Sequence, residues 1–243
     1  MKQYISAIIF GIAIVIAAYL LGNAVINRNN PQGNISVTGL GNADFTSDLI
    51  VWEGSFSKES SDLKQAYKDL EADKAVITEY LLSKGITREE LVFKAVNSRN
   101  NTQSKYSSDG KYMGEEFLGY VLTQSLQIDS KNVENTEKVS REITELLNKG
   151  IQFYSQPPRY YYTKLADLKL EMVSKATQDA YARAQKIADN SGAKLGDLIT
   201  AKMGIFQITG QNSSEDYSWG GTYNTSSKEK TASITMKLDY KVK

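Results

Sequence analysis

Phe117-Leu-Gly-Tyr-Val-Leu-Thr-Gln-Ser-Leu-Gln-Ile128 is the stretch whose reading decides the fold. Leu118, Tyr120, Leu122, Gln124, Leu126 and Ile128 share one parity; Val121, Thr123, Ser125 and Gln127 share the other. Side chains alternate across a strand, so this pattern gives one largely apolar face and one mixed face. That is how an antiparallel strand with one face on a core reads. A strand of a doubly wound parallel sheet, buried on both faces, would be apolar at nearly every position.

Working outward, Leu91 to Val96 has a strand pattern, separated from Phe117 by a polar stretch from Asn97 to Lys111. Upstream, Ile35 to Leu40 and Leu49 to Phe56 are short strand-forming runs divided by Gly39, Gly41, Asn42 and Asp44, which suggests a hairpin or adjacent strands. Between them and Leu91 lies a helix from about Ser61 to Lys84, with Leu63, Ala66, Tyr67, Leu70, Ile77, Tyr80 and Leu81 at helical spacing. Ser60 or Ser61 can cap it and Gly85 stops it. Thr87 and Glu90 then have the spacing of a capping box.

Downstream, a second helix is expected from about Asn132 to Lys149, with Val133, Val139, Ile143, Leu146 and Leu147 apolar and Gly150 as its stop. Ile151 to Tyr154 and Tyr160 to Thr163 read as strands around Pro157-Pro158. The longest helix, about Leu165 to Asn190, carries Leu168, Met172, Ala176, Ala180, Ala184, Ile187 and Ala188 along one stripe. Leu198 to Thr209 and Ala232 to Val242 are further strands, joined by a Gly, Ser, Asn and Thr-rich exposed loop from Gly210 to Lys230. Strands interleaved with helices predict an α+β fold: antiparallel-rich sheets with long covering helices on one side.

The N-terminus adds a different element. Ile5 to Ile26 contains no charge, and as a helix its roughly 22 residues would extend about 33 Å, against a hydrocarbon core of about 30 Å. This predicts one N-terminal transmembrane helix, longer than the apolar region of a secretory signal. Gly22-Asn23-Ala24 resembles a small-x-small cleavage site, so a secreted, cleaved form is the alternative. The expected organisation is a flank at 1–4, a membrane segment at 5–26, a polar linker at 27–33 and a single domain at 34–243. Lys2 before the span and Arg28 after it hardly decide its orientation, and the short flank with the body C-terminal to the span leads to the expectation that the body is exported.

Composition closes off much chemistry. The 243-residue chain has no His and no Cys, which excludes Ser-His-Asp and Cys-His nucleophiles, Cys/His zinc sites and disulfides. Its 29 basic and 28 acidic residues leave a net charge of +1, with no electrostatic footprint for nucleic acid. Glu115 and Glu116 are adjacent on a strand and point to opposite faces, so they make no paired-carboxylate site. Glu89 and Glu90 suit the first turn of a helix. Asp44 and Asp48 read as turn residues, without an EF-hand pattern. Gly39-Leu-Gly41 is too short for a dinucleotide fingerprint, and Ser61-Asp-Leu-Lys64 opens an amphipathic helix without the companion motifs of a Ser/Lys enzyme. No catalytic residue, cofactor or metal is expected. Aromatic groups in loops are the candidate partner contacts: Tyr160, Tyr161 and Tyr162 after the double proline, and Tyr217, Trp219 and Tyr223 in the polar loop.

Several segments, in order, resemble the SIMPL-domain family, whose bacterial YggE-like members are exported envelope proteins. They are Ile35-Ser-Val-Thr-Gly-Leu-Gly41, Leu82-Ser-Lys-Gly-Ile86, Gly119-Tyr-Val-Leu-Thr-Gln-Ser-Leu126, Asn148-Lys-Gly-Ile151, the Ala176 to Ala188 stripe and Ser191-Gly-Ala-Lys-Leu-Gly196. The chain departs from the family pattern at Asp44 to Asp48 and in the Tyr-rich segment from Tyr154 to Tyr162. The resemblance implies an α+β envelope protein without established catalytic residues, associated with oxidative or other envelope stress and inclined to form a homo-oligomer. The expectation is therefore a membrane-tethered, non-enzymatic, extracytoplasmic protein, periplasmic in a Gram-negative cell, that acts through self-assembly. The competing expectation is a monomeric module capturing a small ligand or peptide through its aromatic loops.

Overall fold

The computed structural model describes the backbone of residues 2–29 and 33–243, and the side chains of 10–25 and 33–243. Helix α1 spans Lys2–Asn29. The membrane segment expected at 5–26 reaches beyond the described side chains at both ends, and so do the flank at 1–4 and most of the linker. Among the described residues no helix is long and apolar enough to cross a membrane. The part of α1 whose side chains are described, residues 10–25, falls short of the roughly 20 residues that a span takes. What stands for this segment is an α-helix.

The elements that follow are β1 (Asn34–Thr46), β2 (Leu49–Ser60), α2 (Leu63–Ser83), β3 (Leu91–Phe93), β4 (Asn97–Tyr106), β5 (Tyr112–Ser130), α3 (Val133–Glu142), β6 (Phe153–Ser155), β7 (Arg159–Tyr161), α4 (Leu165–Ser191), β8 (Leu195–Met203), β9 (Gln207–Gly210) and β10 (Glu229–Val242). Short 3-10 turns occupy Arg88–Glu90 and Ile143–Lys149. The chain divides into a smaller unit (Met1–Leu40, Ala176–Gly204, Thr235–Lys243) and a larger one (Gly41–Lys175, Ile205–Ile234).

In the larger unit β5 is the central strand. It pairs antiparallel with β2 from Ile50↔Ser130 to Ser60↔Tyr120, with β3 across Leu91↔Ile128, and with β4 along the whole length of that strand. β6 and β7 take the far edge of β2. The even-numbered residues of both central strands turn inward, as the alternation predicts: Trp52 and Phe56 meet Leu122, Leu126 and Ile128 under Ala66, Leu70, Ile77 and Leu81 of α2 and Val139, Ile143 and Leu146 of the second helical segment. Trp52 keeps its indole N–H satisfied by donating to Ser155 Oγ at 2.9 Å. Where α2 ends, Lys84 Nζ sits 2.8 Å from Glu145 and 2.9 Å from Glu142. The two carboxylates, Glu145 first, hold its pKa well above the ordinary range.

Several expectations are corrected here. β1 and β2 form no hairpin: β1 pairs with β10, β2 belongs to the other sheet, and β1 runs straight through Gly41, Asn42 and Asp44. Asp44 accepts from Thr231 Oγ1 at 2.6 Å across the sheet, and Asp48 accepts from the Thr163 amide at 2.7 Å. The cap of α2 is Asp62, accepting from the Gln65 amide at 2.8 Å, with Ser60 Oγ accepting in turn from the Asp62 amide. The polar stretch after Asn97 is a strand, not an interval, because pairing with β5 outweighs the poor strand propensity of its Asn, Ser and Gln residues. Leu63, Tyr67, Leu147 and Ile187, assigned to helical core stripes by spacing, are exposed. Leu198 to Thr209 is two strands, β8 and β9, broken at Gly204. The Thr87/Glu90 capping box forms as expected.

In the smaller unit β10 lies between β1 and β8, and α4 covers the sheet with Ala176, Ala180, Ala184 and Ala188, all fully buried. The approach is close enough that a Cβ on Gly39 would sit 2.1 Å from the Ala176 carbonyl oxygen and 2.4 Å from the Ala180 nitrogen. The neighbouring Leu40 amide donates to Asp179 Oδ2 at 2.8 Å, tying helix to strand at the same level. Gly39→Ala therefore overpacks a backbone contact with no flexible side chain to yield. It is expected to cost about 3 kcal/mol, seen as a lower urea midpoint with an unchanged far-UV spectrum.

Candidate functional site

The polar segment after β9 is an exposed loop, as its composition predicts, but it is internally braced. Gln207 is its organiser: Nε2 donates to the Ser218 carbonyl at 2.8 Å, and Oε1 accepts from the Thr222 amide at 2.7 Å. The Ile208 amide donates to the Thr222 carbonyl at 2.7 Å and the Asn224 amide to the Ile208 carbonyl at 2.9 Å, which forms a short parallel bridge to Tyr223. Glu215 closes the near side by accepting from the Gly210 amide at 3.0 Å and from Asn224 Nδ2.

Beneath this loop lies Lys230, fully buried. Its ammonium donates to the Asn224 carbonyl at 2.7 Å, to Asn224 Oδ1 at 3.2 Å and to the Ser227 carbonyl. A lysine is almost never fully buried unless its donors are satisfied, and here loop carbonyls supply the partners. Desolvation lowers its pKa to about 8, a shift that the Glu215 carboxylate only partly opposes.

The six aromatic candidates differ in their surroundings. Tyr160 is buried with Ile50 and Val133 in a small cluster of its own, and belongs to the core. Burial raises the pKa of its hydroxyl, and the Glu137 carboxylate adds to the effect. Tyr162 packs on Phe45 with ring centroids 4.8 Å apart, while Tyr161 meets Tyr223 across 6.5 Å, which brings the two groups together. Tyr217 accepts from Ser233 Oγ at 3.1 Å. Trp219 is 96% exposed on the braced loop.

A second exposed apolar surface escapes a reading by motif. Beyond Tyr120, β5 loses β2 as a neighbour and, among the described residues, continues with β4 alone, as a two-stranded arm closed at Ser107 to Lys111. Tyr106, Tyr112, Met113, Phe117 and Leu118 are exposed on it. Tyr106 meets Tyr112 edge-on with ring centroids 5.9 Å apart, and Glu116 pairs with Lys105 at 3.0 Å. The available signal is Tyr106-Ser-Ser-Asp-Gly-Lys-Tyr112, an Asp-Gly turn flanked by aromatics. Glu115 and Glu116 lie on this arm, and Glu89 and Glu90 in the capped 3-10 turn. Among the described residues no acidic group of three or more converges as a metal site.

A family model described as SIMPL, protein of unknown function (DUF541), matches residues 35–240. No curated protein matches the chain.

Two outcomes follow from the loop geometry. Because unfolding returns the Lys230 pKa toward about 10.4, the unfolded chain binds more protons between pH 8 and 10, so the stability term from this residue rises with pH across that window. Urea titrations at pH 7.5 and 9.5 are expected to show the wild type gaining stability relative to Lys230→Met. Of the two tryptophans, Trp52 is 1% exposed, so iodide should quench Trp219 alone and Trp219→Phe should remove the quenchable emission.

Proposed function

The chain belongs to the SIMPL family, a family of unknown function, and within it we propose a membrane-tethered, extracytoplasmic, non-enzymatic protein that works by homo-oligomeric assembly. The observation that carries this reading is the β4–β5 arm. A two-stranded ribbon is marginally stable alone in water, and stability calls for a further strand or a packed face. Here the outer edge of β4 has no strand partner among the described residues, and Tyr106, Tyr112 and Phe117 offer apolar surface. A second copy of the chain brings a complementary strand edge and the same aromatic groups, so symmetric association covers both.

The tether rests on α1. Every described side chain in residues 10–25 is exposed, including Phe10, Ile14, Val15, Ile16, Leu20 and Leu21. A helix apolar on all sides needs an apolar surrounding, and the uncharged sequence from Ile5 to Ile26 is long enough for a bilayer. Placement of the body outside the cytoplasm, and protection of the envelope under oxidative or other stress, belong to this proposal through the sequence resemblance.

A second reading is favoured by Trp219: a fully presented aromatic on a braced loop suits capture of a small ligand or peptide by a monomer. Light scattering of the fragment from Asn30 onward, over a concentration series, separates the two. A closed oligomer whose dissociation constant rises at least tenfold in Tyr106→Ser/Tyr112→Ser/Phe117→Ser is the expected result, about 1.4 kcal/mol or more of lost association energy. A strict monomer at all concentrations sinks assembly through this domain and leaves the capture reading.

A further inference from the structure

The first two turns of α2 hold an apolar groove that the assembly reading does not use. Leu63 and Tyr67 form one wall, Leu122 of β5 the floor, and Lys64 and Lys68 the rim, around a volume of about 620 Å³. That volume is in the range of small-molecule sites. On the same helix Ala66 and Leu70 are fully buried, whereas Leu63 and Tyr67, apolar at core spacing, face solvent. No described element covers them.

Charge and hydrogen bonding narrow the occupant. Lys64 and Lys68 stand one helical turn apart, about 5–6 Å between their Cβ atoms, so a single anionic group can meet both ammonium groups. The carboxylates around them are engaged elsewhere. Asp62 accepts from the Gln65 amide, Asp69 from Gln65 Nε2, Glu71 pairs with Lys74 and Asp73 with Lys58. Neither rim lysine has an ion-pair partner among the described residues. At the floor, Leu122 is paired to Lys58 of β2 on one side and Ser98 of β4 on the other, so the backbone there has no edge for an added peptide strand. The groove thus offers two cations at its rim and an apolar floor that asks for no hydrogen bond.

We propose that this groove binds a fatty-acid carboxylate, its chain along Leu63, Tyr67 and Leu122 and its head group between Lys64 and Lys68. The acyl chain removes the exposed leucine and tyrosine surface from water. The carboxylate, ionised at neutral pH, makes charge-assisted hydrogen bonds to the two ammonium groups. An alcohol of equal chain length fills the same floor and leaves the rim unused, which makes the head group the discriminating feature.

The test uses the full chain in phosphatidylcholine nanodiscs with a diazirine-bearing palmitate analogue, irradiated and mapped by peptide mass spectrometry. Adducts on α1 serve as the internal reference for probe loading. Expected are saturable adducts on residues 63–68 and 122, displaced by palmitate and not by hexadecanol. Their yield should fall roughly tenfold in Lys64→Glu/Lys68→Glu and less in Lys64→Gln/Lys68→Gln, with thermal unfolding unchanged in both, as suits exposed positions. Adducts confined to α1 overturn the proposal, as does groove labelling that survives both lysine pairs of substitutions or yields equally to hexadecanol. Displacement by phosphatidylglycerol alone overturns it in favour of a phospholipid, and groove residues cross-linked to a second copy overturn it in favour of an interface.

Discussion

Among the described residues β5 has two strand neighbours as far as Tyr120 and one beyond it, and the larger unit is organised around that change. Below Tyr120 the strand is flanked by β2 and β3 or β4, roofed by helices and saturated with partners. Above it the same strand is half of a free ribbon. The change falls at Gly119, where φ is +143° and a Cβ would meet the Ser60 carbonyl oxygen at 2.4 Å. A residue with a side chain there would push apart β5 and the corner at which β2 ends and α2 begins. One glycine thus sets where core stops and arm starts.

Much of this was legible because burial and periodicity agree. From Leu122 to Ser130 the even residues are buried, as the alternation requires, and the alanine stripe of α4 lies against its sheet from Ala176 to Ala188. Pairing between strands was less legible. β1 and β2 are adjacent in sequence and belong to different sheets, and β4 has almost no apolar pattern because neither of its faces reaches a core. A ladder of backbone hydrogen bonds carries no signature in side-chain identity, so a strand made by pairing alone is silent in sequence.

The candidate surfaces divide along the same line. Trp219 and the Tyr161–Tyr223 pair come from residues whose chemistry marks them in the sequence; Tyr160 has the same chemistry and is core. Leu63 and Tyr67 fit a core stripe by spacing, yet both are exposed and line a groove with Leu122. Lys230 had no distinguishing pattern at all, since a buried lysine is defined by the carbonyls that fold back over it, here those of Asn224 and Ser227.

The bracing of the 211–228 loop has an entropic consequence for anything that touches it. A mobile loop must be ordered on contact, and that ordering subtracts from the free energy of association. Here Gln207 and Lys230 have already fixed the backbone that carries Trp219. Only the two side-chain torsions of one indole remain to be arrested, so the encounter is with a shape decided at folding.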